Sequence, residues 1–84
     1  MLYTYKFSSE FLRSMKKLKK KDKVLFLQIR KKLLKIIENP DHYKPLRNVL
    51  AGYRRIHFGS FVLVFKIDKN VVKIISLDHH DDVY

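Results

Sequence analysis

The stretch YRRIHFGSFVLVFKIDKNVVKIISL, residues 53–77, decides the fold of this chain. Side chains alternate along residues 53–58 in a way that is typical of a strand with one buried face. The next segment, residues 61–67, is apolar almost throughout, which indicates a central strand that is covered on both sides. Strands rather than helices are therefore expected over the C-terminal part of the chain.

Two turns divide this stretch. Gly59 and Ser60 form a two-residue hairpin signal with glycine first, as a type II′ turn requires. Residues 68–70 then turn the chain into a third strand over residues 71–77. The three strands are predicted to form an antiparallel meander.

The N-terminal part changes from a period of two to helical spacing. Residues 2–7 alternate and predict an opening strand, after which Ser8 or Ser9 can cap a helix. Apolar side chains with helical spacing then predict a short amphipathic helix. That stripe consists of Phe11, Leu12, Met15 and Leu18.

A second, longer helix is predicted after Asp22, which offers another cap, and it ends at Asn39 and Pro40. Its apolar stripe consists of Leu25, Phe26, Ile29, Leu33, Ile36 and Ile37. Residues 41–52 predict a loop. The element order is β-α-α-β-β-β, an α+β fold with two helices packed on one face of an antiparallel sheet, in a single domain over residues 1–84.

The charge of the chain is large and uneven. It has 19 Lys and Arg against 8 Asp and Glu, a net charge of +11. Residues 1–57 carry 16 basic and 4 acidic side chains, whereas residues 58–84 carry 3 basic and 4 acidic ones. This distribution favours a polyanion or an acidic protein as partner. The alternative is a lysine-rich genome, in which surface lysines are common without a binding role. The densest cluster is Lys16, Lys17, Lys19, Lys20, Lys21 and Lys23.

That lysine cluster has two interpretations. It can dock on RNA or an acidic partner, or it can be a solvated helix face that the helix dipole favours near a C-terminus. The chain has no cysteine, no signal-peptide pattern and no apolar run near the roughly 20 residues of a membrane span. A cytoplasmic protein without a membrane partner is expected.

The last nine residues, SLDHHDDVY, raise the question of metal binding, catalysis or plain surface. Asp78 and His80 share one face of an extended strand and can chelate weakly. A zinc site would need cysteines or a spaced pair of histidines, and the chain has neither. No metal and no other cofactor is expected.

The segment GYRRIHFGSFVLVF together with LDHHDDVY resembles the RelE/ParE superfamily of toxins from toxin–antitoxin pairs, and the element order matches along the whole chain. The middle motif of the family is matched by Tyr53, Arg54, Arg55, Ile56 and Gly59. Its later aromatics are replaced by Phe61 and Phe65. The C-terminal motif is matched by His79, Val83 and Tyr84. RelE-like members cut messenger RNA in the ribosomal decoding site, and ParE-like members poison DNA gyrase. The resemblance implies a toxin that is monomeric when free and is bound by an acidic or amphipathic antitoxin.

Metal-independent cutting of RNA needs a base, an acid and a cation on the phosphate. Arg55 and His57 are expected to share the open face of the sheet if Ile56 faces the helices. With the resemblance, Arg55 is the expected phosphate clamp, and His57 with His79 or His80 the expected proton-transfer groups. Tyr84 is expected to stack on a base. Further expected RNA contacts are Lys16, Lys20, Lys44, Arg47 and Arg54.

Two positions depart from the RelE-like pattern. Val62 and His80 stand where these nucleases usually carry arginine. The departures leave two alternatives open, a gyrase-directed toxin of ParE type and a member that has lost catalysis and only binds its antitoxin.

Overall fold

The computed structural model describes residues 3–40 and 52–79. The elements follow the predicted order: β1 Thr4–Phe7, α1 Ser9–Lys21, α2 Lys23–Glu38, β2 Tyr53–Phe58, β3 Phe61–Asp68 and β4 Val71–His79. The predicted loop over residues 41–51 lies outside the described residues. So do His80 and Tyr84 of the C-terminal motif.

Helix α1 begins at a cap that also joins it to the sheet. Of the two candidate serines, Ser8 is the cap, because its hydroxyl oxygen accepts the backbone N–H of Phe11 at 2.9 Å. The same hydroxyl donates to the backbone carbonyl of Ile75 in β4. Phe11, Met15 and Leu18 are buried as predicted, whereas Leu12, expected beside them, is 52% exposed.

Helix α2 begins at the predicted cap, since the Asp22 carboxylate accepts the Leu25 backbone N–H at 3.1 Å. Its core contacts repeat at helical spacing, and the fully buried members are Ile29, Leu33 and Ile36. Leu25, Phe26 and Ile37 are half-buried at the margins of the stripe. The helix ends at Glu38, one residue before the predicted Asn39-Pro40 boundary.

The sheet has the strand order β1-β4-β3-β2. The meander is confirmed, because β2 with β3 and β3 with β4 pair antiparallel. Strand β1 instead pairs parallel with β4, so the sheet is mixed rather than wholly antiparallel. The local pattern of β1 carries no information on its partner, which lies more than 60 residues later in the chain.

Strand β3 is central, as its apolar composition predicted. Leu63 and Phe65 are fully buried against the helices, together with Val72 and Ile74 of β4. A bulge at Val64 and Phe65 leaves one extra residue in β4, and side chains on both sides of it still face the core.

The first turn of the meander agrees with the prediction, and the end of its last strand differs. Gly59 has φ +57° and Ser60 does not have a positive φ, as a type II′ turn requires. Strand β4 runs to His79 rather than to residue 77, because β3 offers pairing partners for the two further residues.

Candidate nucleic-acid interface on the open face of the sheet

The side of the sheet that faces away from α1 and α2, called here the open face, carries Arg55 and His57. Ile56 between them packs against the core, so strand alternation directs both neighbours to the other side. This placement confirms the expectation that the two residues share a face. Across the sheet, Arg55 lies opposite Val64 of β3, which in turn pairs with Ser76 of β4.

The neighbour of His57 in β3 is Val62, at a position where RelE-like nucleases are expected to carry arginine. Val62 is fully buried although it does not belong to the core cluster between sheet and helices. Beyond it, Asp78 occupies the same row in β4. The row that contains His57 therefore has an apolar, inaccessible side chain at the position that departs from the RelE-like pattern.

His79 lies on the other side of the sheet. It pairs with Phe61, and the two rings meet edge-to-face with centroids 5.6 Å apart. Phe61 packs against the core, and His79 also lines a cavity of about 250 Å³ with Lys17 and Lys21 of α1. The structure thus brings Arg55 and His57 together but places His79 on the helix-facing side.

The remaining predicted RNA contacts are distributed over different parts of the molecule. Arg54 is half-buried and pairs with Phe65, so it lies on the helix-facing side of the edge strand β2. Lys16 and Lys20 are exposed on α1, beside Arg13 and Lys17. The remaining predicted contacts and catalytic groups lie outside the described residues; these are Lys44, Arg47, His80 and Tyr84.

Sequence reasoning missed a second group of cations on the open face. Lys6 pairs with Lys73, Lys73 pairs with Lys66, and Lys66 pairs with Tyr53. The Lys66 ammonium lies 5.2 Å from the centre of the Tyr53 ring. Alternation in each strand indicates an open-face position, but only the register shows that these residues form one line.

One carboxylate lies beside this line. Asp68 accepts a hydrogen bond from the Lys73 ammonium at 3.1 Å, and both side chains are well exposed. The hydrogen bond and the positive charge of Lys73 lower the pKa of Asp68 below its ordinary value. An exposed pair of this kind contributes little to stability.

Residues 3–40 and 52–79 contain neither a metal-ligand cluster nor a membrane-spanning helix. Within these ranges no group of three or more His, Cys, Asp or Glu side chains is arranged to hold a metal ion. Neither of the two helices combines the length and the apolar character needed to cross a bilayer.

Two helices on one side of a four-stranded mixed sheet are the fold of RelE-like toxins, as two solved structures show. The chain matches the toxin–antitoxin complex RelBE2 from Mycobacterium tuberculosis with a TM-score of 0.79 and 26% identity, over 94% of this chain and 99% of that one. A RelE variant from E. coli in the free state gives 0.79 and 25% identity, over 99% and 88%.

Sequence comparison gives the family. The family model for the ParE toxin of type II toxin–antitoxin systems matches residues 5–84, so the chain belongs to this family. A RelE4 toxin candidate of Methanocaldococcus jannaschii is 45% identical over 73 residues, which cover 83% of this chain and 78% of that protein. The protein is a toxin of a type II toxin–antitoxin system.

Proposed function

We propose that this toxin is a metal-independent endoribonuclease that cuts messenger RNA in the ribosome, and that the open face of the sheet is its RNA-binding surface. The observation that carries the proposal is the common placement of Arg55 and His57 on that face, beside further cations. An arginine and a histidine provide a phosphate clamp and a proton-transfer group.

In the proposed reaction the ribose 2′-oxygen attacks the adjacent phosphorus while neutral His57 accepts the hydroxyl proton. The free ring nitrogen of an imidazole can accept this proton, which makes histidine the commonest general base in such reactions. The guanidinium of Arg55 stabilises the negative charge that develops on the phosphate oxygens. Breakage of the bond from phosphorus to the 5′-oxygen leaves a cyclic phosphate and a 5′-hydroxyl.

The departing 5′-oxygen needs a proton from a second group. We assign this role to His80 rather than His79, because the His79 ring meets Phe61 and lines a cavity with α1 on the helix-facing side. Tyr84 is assigned to base stacking, and Lys44 and Arg47 to RNA contacts, from the family resemblance alone. The partner that holds the toxin inactive is an antitoxin with acidic or amphipathic character, matched to a net charge of +11.

The test is cutting of a synthetic messenger in purified ribosomes, bacterial and archaeal, with and without EDTA. We expect in-frame cuts that EDTA does not abolish and that Arg55→Ala and His57→Ala each reduce by at least about 100-fold. His79→Ala is the matched control, since it removes an imidazole from the opposite side of the sheet and should leave cutting within a few-fold. A folded wild-type protein that cuts no messenger on either ribosome would exclude the nuclease.

A second candidate is a gyrase-directed toxin of ParE type. The observation that favours it is the buried, apolar Val62 at the position where a nuclease is expected to hold arginine. Inhibition of gyrase supercoiling, with ribosomes unaffected, would support this alternative. A protein that arrests growth by neither route would be a binding module for its antitoxin.

A further inference from the structure

A line of side chains crosses all four strands on the open face. It runs from Lys6 in β1 through Lys73 in β4 and Lys66 in β3 to Tyr53 in β2, each directly opposite the next. These residues come from four separate segments of the chain, so the line exists only in the folded protein. We call Lys6, Lys73 and Lys66 the lysine row.

The lysine row is unfavourable for the protein alone. Like charges directly opposite each other in neighbouring strands repel. Lys73 is paired with the exposed carboxylate of Asp68, and the Lys66 ammonium lies over the Tyr53 ring. Among residues 3–40 and 52–79, one carboxylate beside three ammonium groups leaves an excess of positive charge that an anionic ligand would offset.

We propose that the lysine row binds the sugar–phosphate backbone of single-stranded RNA next to the site formed by Arg55 and His57. Neighbouring strands lie about 4.8 Å apart, so the row spans about 10 Å. Each phosphate of a stacked strand rises about 3.4 Å along the strand axis, so a row parallel to that axis spans about three phosphates. Lysine binds phosphate as a flexible point charge, which suits a backbone contact without sequence preference.

The row also lies within reach of the proposed reaction centre. Tyr53 and Arg55 are two residues apart on the same face of β2, a distance of about 7 Å along the strand. A strand of RNA held by Arg55 can therefore continue directly onto the row. The inference rests on the proposed function for its choice of RNA as the ligand.

An acidic protein is the competing ligand for three lysines, and the placement of apolar surface argues against it. An amphipathic partner needs exposed apolar side chains near the cations. The large exposed apolar residues of the described segments are Tyr5, Leu12, Val24, Leu27 and Leu34. Tyr5 pairs with Val72 on the helix-facing side and reaches the row only at the β1 edge, where it lines a pocket with Lys6 and Lys73. The other four belong to α1 and α2, so a single tyrosine is the large exposed apolar side chain of the described segments next to the row.

The experiment measures binding of a short 2′-O-methyl oligoribonucleotide, which cannot be cut, by fluorescence anisotropy over a range of salt concentrations. The row variant combines Lys6→Gln, Lys66→Gln and Lys73→Gln. Its log–log salt slope should be smaller than that of the wild type by about 2, because each single-strand phosphate contact contributes about 0.7. The matched control changes the same number of exposed cations on α2, outside the lysine cluster of α1, which are Arg30, Lys31 and Lys35.

The control variant should keep nearly the wild-type slope. A row variant with the wild-type slope, or an equal loss in both variants, would overturn the proposal in favour of diffuse charge. A row variant that loses polyglutamate binding but keeps RNA binding would identify an acidic protein as the ligand. Asp68→Asn, which removes the carboxylate next to Lys73, should instead tighten RNA binding about two- to five-fold.

Failure of the row is distinguishable from failure of the nuclease. If the row variant loses RNA binding and the wild type cuts no messenger, the proposal that the row binds RNA is supported and the proposed nuclease activity is excluded. If the wild type cuts messenger and the row variant keeps the wild-type salt slope, the proposed nuclease activity is supported and RNA binding by the row is excluded.

Discussion

The two faces of the sheet are made of the same four strands but have opposite chemical character. Phe65, Leu63 and Ile74 on the helix-facing side are fully buried and pack against α1 and α2. Lys66 and Lys73 on the open face come from the same two strands, Arg55 comes from β2, and all three are charged. In a domain of this size, one face supplies most of the apolar burial, which leaves the other free to carry cations.

Because the faces differ in this way, substitutions on the helix-facing side should change stability, and substitutions at the adjacent open-face positions should change binding. Side chains at successive positions of a strand point to opposite faces, so a change at one position alters the core and a change at the next alters the open face. Val62 departs from this division, because it is fully buried on the face that carries the cations.

The largest expected effect is on the helix-facing side. Phe65→Ala should lower the free energy of unfolding by about 3–5 kcal/mol, since it removes a fully buried aromatic ring and leaves a cavity. Urea unfolding followed by circular dichroism measures the loss. Leu34→Ala is the control, because a leucine that is 67% exposed should cost less than about 0.5 kcal/mol.

The next effect tests whether the open face tolerates charge everywhere. Val62→Arg restores the residue expected in RelE-like nucleases, but it places an unpaired charge at a fully buried position and should cost about 3 kcal/mol or more. Val64→Arg, on the same face and half-buried, should be tolerated within about 1 kcal/mol. Equal stability of the two variants would show that Val62 is accessible and would weaken the division between the faces.

A smaller effect is expected where a helix is joined to the sheet. Ser8→Ala removes the cap of α1 and the hydrogen bond to the Ile75 carbonyl, and should cost about 1–2 kcal/mol. Ser9→Ala changes an exposed residue in the first turn and should cost less than about 0.5 kcal/mol. A loss that is the same in both variants would contradict the assignment of Ser8 as the cap.

The smallest effect concerns the exposed pair beside the lysine row. Lys73 lowers the pKa of Asp68 in the folded state, so the pair stabilises the protein above the ordinary aspartate pKa, and this contribution is lost as the pH falls through the lowered pKa. NMR titration of the Asp68 carboxyl should give a pKa below 3.8, and Lys73→Gln should raise it towards that value. An Asp68 pKa that does not respond to Lys73→Gln would show that the pair does not persist in solution.

Local features of the fold were predictable because each depends on a few neighbouring residues. Ser8 and Asp22 cap the helices they precede, and Gly59 adopts the positive φ of its turn. The alternation around Ile56 correctly placed Arg55 and His57 together. The positions of Lys66 and Lys73 on the open face follow from the same rule, but nothing in either segment indicates that they face each other.

The amino-acid sequence by itself determined the order of the elements, the caps, the hairpin turn and the residues that share a face of one strand. Tertiary structure alone decided that β1 pairs parallel with β4, that His79 contacts Phe61 beside α1, and that Lys6 completes a row with Lys73 and Lys66. The physical reason is the distance along the chain over which each interaction acts. Capping, turn geometry and alternation act within a few residues, whereas strand pairing depends on how distant segments pack around a shared core.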